Sequence, residues 1–175
     1  MGKIIFLTVF LFIKNLVSVN EINNFSQKLI FEIAGGEYEQ IFKSFYIPEN
    51  YGEKNLRNDR EAILKGLEFI INQLGEIKYF KKIDKIEEKS RDISLKLGPF
   101  EEIENLKSLF TTYRIDFKNF GNAYIFFEII EKENKIFLKK IGFMLPEQNK
   151  KTPQILQSVL NFFSNLASQQ SKREK

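Results

Sequence analysis

Residues 109–145 read LFTTYRIDFKNFGNAYIFFEIIEKENKIFLKKIGFML. Three runs rich in β-branched and aromatic residues are separated by two short polar breaks, the pattern of an antiparallel meander. The spacing predicts strands at roughly 108–118, 122–132 and 135–145. If Glu133-Asn134 is a two-residue hairpin turn, Lys132 faces Lys135. Ile130 then faces Phe137, Glu128 faces Lys139, Phe126 faces Ile141 and Tyr124 faces Phe143. If the break at 119–121 pairs Lys118 with Asn122, Thr112 faces Glu128 and Arg114 faces Phe126.

This pairing gives the meander two apolar faces. One carries Phe110, Thr112, Arg114, Tyr124, Phe126, Glu128, Ile130, Phe137, Lys139, Ile141 and Phe143. The other carries Leu109, Tyr113, Ile115, Phe117, Ile125, Phe127, Ile129, Leu138, Lys140 and Met144. A sheet with one wet face would not read this way, so both faces need a cover. Helices are expected on one; the C-terminal helix, a second subunit or a ligand could cover the other. Arg114, Glu128 and Lys139 are the charged group inside the first face. With Phe126, Ile141 and Tyr124 they form the candidate ligand-binding set. Two readings compete there. Glu128 could orient a ligand or act as an acid or base, or the group could be a cross-strand ion pair that neutralises itself, worth about 0.2–1 kcal/mol.

The rest of the 175-residue chain constrains what such a face can do. It is 43% hydrophobic and 29% charged, enough apolar content for one well-packed domain. It holds 19 phenylalanines and no tryptophan. Histidine and cysteine are both absent. The commonest general base, the commonest metal ligand and the thiol nucleophile are therefore missing, and no disulfide can form. A lipid-anchoring cysteine is missing too. The sequence implies no cofactor, no metal site and no catalytic motif. Net charge is +4; without Lys3 and Lys14 it is 25 basic residues against 23 acidic. That balance does not point to nucleic acid.

Residues 1–20, MGKIIFLTVFLFIKNLVSVN, combine Lys3, a ten-residue apolar run from Ile4 to Ile13, and a polar continuation. They read as a secretory signal peptide, with Ser18 or Asn20 near its end. Ten residues are short for a membrane span of about 20. An uncleaved anchor and a folded first element are the alternatives. Export places the chain in the periplasm or outside the cell, with membrane contact only through this segment if it is retained.

Beyond it, Ile22, Phe25, Leu29 and Ile33 form a helical stripe from Glu21 to Ile33, stopped at Gly35-Gly36. A short helix is expected over 37–45. Residues 47–57 read as a loop. Asn58 with Glu61 resembles a capping box opening a helix that ends at Gly75. Residues 76–83 alternate as a strand with Ile77, Tyr79, Lys81 and Ile83 on one face. Arg91–Leu97 is a second strand, with Ile93, Leu95 and Leu97 aligned. Residues 100–107 fit either a helical turn or a loop. Thr152 and Pro153 open a last helix carrying Ile155, Leu156, Val159, Phe162, Phe163 and Leu166. Residues 169–175 read as a frayed polar tail. Asp84, Glu87, Glu88 and Asp92 lack the spacing of a Ca²⁺ loop and read as a solvated acidic stretch. Lys78, Lys81, Lys82 and Lys85 read as lysines protecting an edge strand.

The order predicts an α+β fold: N-terminal helices on an antiparallel sheet of about five strands, plus a C-terminal helix. Residues 21–168 form its single domain. Gly36-Glu37-Tyr38 after the first helix, Leu74-Gly75 before the first strand and Gly142-Phe143 in the last resemble the nuclear transport factor 2-like (cystatin-like) superfamily. The likeness is to small exported bacterial domains of that group. It implies a curved, cone-like sheet whose mouth the helices close. Enzymes of the group use His, Asp or Tyr in the cone, and no residue here matches such a pattern. The function expected is a non-enzymatic binding or interaction module for an apolar ligand or a protein partner. The alternative is a cone-pocket enzyme of isomerase or lyase type. A homodimer through a sheet face is a further possibility.

Overall fold

The computed structural model describes residues 18–96 and 108–172. The signal-like run up to Val17 and the 100–107 stretch lie outside the described residues, as does Leu97. The described residues form an α+β fold of four helices and a five-stranded antiparallel sheet. The helices are α1 (Val19–Ala34), α2 (Tyr38–Lys43), α3 (Glu53–Leu74) and α4 (Thr152–Lys172). The strands are β1 (Ile77–Ile83), β2 (Ser90–Lys96), β3 (Ser108–Phe117), β4 (Gly121–Lys132) and β5 (Lys135–Pro146), in the order β1-β3-β4-β5-β2. Among the described residues, no helix is long and apolar enough to cross a membrane.

The inner face of the sheet carries Tyr113, Ile115, Phe117, Ile125, Phe127, Ile129, Leu138, Ile141, Phe143 and Leu145, all buried. The stripe of α1 (Ile22, Leu29, Ile33) and that of α3 (Ile63, Leu67, Ile70, Leu74) join the same core. Burying a side chain of this size contributes about 1.5–3 kcal/mol. One polar contact sits in the layer: Ser26 Oγ and the Tyr113 hydroxyl lie 2.8 Å apart, both buried.

Several sequence expectations shift locally. Helix α1 begins at Val19, capped by Ser18, whose side chain accepts from Glu21 N while Glu21 Oε2 accepts from Ser18 N. Helix α3 starts at Glu53, five residues before Asn58. Asn58 therefore lies inside a helix and opens nothing; the N-cap is Gly52, with no side-chain bond. Leu56, packed against the core, and the Tyr51–Asp59 hydrogen bond hold the added turn. In β1 the register shifts between Ile77 and Tyr79. This bulge breaks the simple alternation, so Ile77 and Phe80 both pack against the core while Tyr79 is exposed. As read from its lysines, β1 is an edge strand.

The last helix does not cover the sheet's second face. It runs antiparallel along α3, with the Phe69 and Phe162 rings stacked at 4.4 Å. Gln170 Nε2 donates to the Asn58 carbonyl at 3.1 Å. Gly66 permits this approach: a Cβ there would lie 2.6 Å from the Phe163 ring. Thr152 donates its hydroxyl to the Pro146 carbonyl at 2.7 Å, which ties the helix to the end of β5 instead of capping it. Helix continues to Lys172, through most of the expected frayed tail.

Candidate binding site on the outer face of the sheet

Two register features decide which side chains meet on the outer face. The 133–134 hairpin turn forms as read: Glu133 and Asn134 have φ of 53° and 59°, and Lys132 pairs with Lys135 and Ile130 with Phe137. The register then slips between Glu128 and Ile129. Ile129 pairs with Leu138 but Glu128 pairs with Lys140, so Lys139 is the extra residue of a bulge. Beyond it Phe126 faces Gly142 and Tyr124 faces Met144, not Ile141 and Phe143. Ile141 and Phe143 thereby turn to the core face, where both are fully buried. Ile141 is thus on the opposite side of the sheet from Phe126, and the two share no cavity.

The other turn keeps its expected three residues but sits one position earlier, at 118–120. Phe117 pairs with Gly121, and Asp116 with Asn122. Relative to the expected pairing, β3 slides by two residues: Thr112 faces Phe126, Arg114 faces Tyr124 and Phe110 faces Glu128. An even slip leaves the faces of β3 unchanged but moves Arg114 away from Glu128. Four residues of β4 now separate their rows, about 13 Å. The three-membered charged group therefore divides.

Glu128 and Lys139 stay together. Lys139 Nζ lies 2.8 Å from Glu128 Oε1, and Ser108 Oγ donates to the same oxygen at 2.8 Å. Burial works to raise the Glu128 pKa, but these two bonds and the nearby Lys140 charge outweigh it and bring it below the ordinary value. Glu128 is thereby an ionised member of an ion pair, a poor proton donor at neutral pH. The Lys140 ammonium stands 5.2 Å from the Phe126 ring centroid.

The upper part of the same face is arranged by a crossing link. Strands β1 and β2 are opposite edges of the sheet, joined by only six residues, 84–89. Four inter-strand spacings make about 19 Å, and seven steps of extended chain reach about 24 Å. The link is therefore short for the distance it crosses. It passes over the outer face, because Tyr124 donates its hydroxyl to Glu88 Oε1 at 2.8 Å. Glu147 N donates to the Lys89 carbonyl and Glu147 pairs with Arg91 at 3.1 Å, anchoring the far end. Tyr124 is buried by this cover; burial, then the Glu88 bond and charge, pushes its pKa up to about 12. Glu88, expected to be solvated, is instead a structural partner.

Beside the link lie two adjoining hollows that share Arg114 and Asn122. One, about 330 Å³, is lined by these two with Glu88, Pro146, Gln148 and Asn149. The other, about 310 Å³, is lined by Tyr79, Lys81, Arg114, Asp116 and Asn122. Arg114 is exposed, and its Nε donates to Asn122 Oδ1 at 3.4 Å. Of the six predicted residues, then, Arg114 and Tyr124 belong to this region, Glu128, Lys139 and Phe126 lie further along the same face, and Ile141 lies beneath the sheet. The sequence reading missed Lys81, Tyr79, Asn122 and Asp116. Their types gave no signal; only the strand register brings them round Arg114. Among the described residues, no group of three or more acidic side chains is placed to hold a metal ion.

Comparison of the chain with protein-family models, with curated proteins and with solved structures finds no match.

Proposed function

We propose that the chain is an exported, non-enzymatic binding module that takes a ligand or a protein partner on the outer face of its sheet. The observation that carries the reading is the pair of hollows around Arg114, framed by a link drawn across the face. A short link anchored at Glu88, Lys89 and Arg91 gives a preformed edge to a site without costing much order on binding. Apolar surface on this face remains open, with Tyr79 at the rim of one hollow 63% exposed and Phe110, further along β3 opposite Glu128, 64% exposed. A ligand with an apolar body suits this field better than a fully polar one. The likeness to exported nuclear transport factor 2-like domains and the signal-like first 20 residues fit the same reading. The alternative of carboxylate catalysis gains nothing from Glu128, which is committed to Lys139 and Ser108.

The test is a fragment screen on the isotope-labelled chain followed by NMR. Ligands that bind should shift Asn122, Tyr124 and Tyr79 signals. Hits that perturb only the α3–α4 side, or no hits from any chemical class, overturn the reading. Light scattering on the same sample tests a homodimer: a dimer whose outer-face signals broaden on concentration would make the partner a second copy.

A further inference from the structure

Lys81 and Arg114 stand directly opposite each other across the β1–β3 pair. Like charges in opposed positions destabilise a sheet. The ion pairs found among the described residues engage other side chains. Asp116 lines the same hollow but forms no ion pair with either cation. Like charges oppose each other elsewhere in the sheet too, as at Lys132 and Lys135. What sets Lys81 and Arg114 apart is that both border one hollow, which makes the pair a candidate binding position.

Resting on the binding reading above, we infer that the hollow between Lys81 and Arg114 binds the oxyanion of a small organic acid, a carboxylate or phosphate ester. The guanidinium presents a planar fork suited to two oxygens, and the ammonium adds a point charge from the facing strand. Asn122, 3.4 Å from Arg114 through its Oδ1, fixes the guanidinium and keeps an amide N–H₂ as a further donor. The exposed Tyr79 ring at the rim meets the body of the ligand. A volume of about 310 Å³ accommodates a compact acid group.

The experiment uses the full chain and four probes: inorganic phosphate, benzoate, octyl phosphate and octanol. Benzoate and octyl phosphate should shift the Arg114 Nε–H and Asn122 amide signals, with affinity falling as salt is added. Inorganic phosphate should bind more weakly at the same signals, and octanol should not move them. In Lys81→Gln and in Arg114→Gln, Kd for benzoate should rise about tenfold or more. The ligand-free Tm of both variants should equal or exceed that of the parent, since a repulsion is removed. Equal affinity in parent and variants, or octanol binding as well as octyl phosphate, overturns the oxyanion site while leaving the binding module intact. A Tm several degrees lower in both ligand-free variants makes the pair structural and overturns it as well. No shift on the outer face with any probe removes both the site and the reading beneath it.

Discussion

The edge of the Phe126 ring lies against Gly142, its cross-strand partner, so closely that a Cβ built on that glycine would stand 2.1 Å from the ring. An aromatic ring covering a strand glycine fills the space its missing side chain leaves and pins the register. Here the pairing exists because of the Lys139 bulge, which brings Gly142 and not Ile141 opposite Phe126. Gly142→Ala should therefore destabilise the fold by about 1–3 kcal/mol through overpacking. Urea denaturation measures it. Adding Phe126→Leu should recover part of the loss, because the clash is with the ring; equal loss in the single and double variants would mean the glycine matters for its backbone instead.

Glu128 should contribute to acid sensitivity. Its folded pKa lies below the ordinary 4.5, held down by Lys139 and Ser108 against the effect of burial. A depressed pKa adds stability that is present above the unfolded value and lost as pH falls through the folded one. The expected window therefore opens near pH 4.5 and extends downward. Glu128→Gln should flatten that limb of the stability–pH curve, measured by denaturant midpoints from pH 7 to pH 3. An unchanged limb would show that Glu128 is not ionically engaged in solution.

Tyr124 makes the mirror-image case. Its pKa is raised from 10.0 to about 12 by burial and by the bond to Glu88. A raised folded pKa contributes stability that is whole below pH 10 and is lost as pH climbs towards about 12. Tyr124→Phe should remove this alkaline dependence and release the link at Glu88. Hydrogen exchange across 84–89 reads the release: faster exchange there, with β3–β4 protection retained, is the expected result.

How much of this was readable from residues alone differs by element. The hairpin at Glu133-Asn134 was legible because two adjacent positive-φ positions favour few residue types, Asn among them, between alternating apolar runs. The bulge after it left a trace in hindsight: Leu138, Ile141, Phe143 and Leu145 face the core with one gap of three before gaps of two. The β3–β4 turn left none. Its position is set by long-range bonds, with Asn119 N and Phe120 N both donating to the Leu74 carbonyl and Lys118 N to that of Glu76. No local pattern reports a contact 45 residues away in sequence. That turn decides whether Arg114 stands near Glu128 or opposite Tyr124, and the bulged β1–β3 pairing separately sets it opposite Lys81, so the candidate site could not be read while the fold could.

The same docking makes Gly75 critical for the site although it lies outside it. Gly75 has φ of 88°, where L side chains are strained, and its N–H closes α3 onto the Ile71 carbonyl at 2.7 Å. A Cβ there would lie 2.8 Å from the backbone nitrogen of Asn119 and 2.8 Å from its side chain. Gly75→Ala should cost about 1–3 kcal/mol from the strained φ and the contact together. Trimming the neighbour with Asn119→Ala should not restore stability, since the obstructing atom includes backbone. The consequence for function follows from geometry. Pushing the 118–120 turn off Leu74 loosens the row in which Asn122 opposes Asp116, beside Arg114. Gly75→Ala should therefore weaken ligand binding at the Arg114 hollows in proportion to its effect on the turn, read as broadened Asn122 signals. Full stability with an intact Asn122 spectrum would show that the turn does not need its seat on α3.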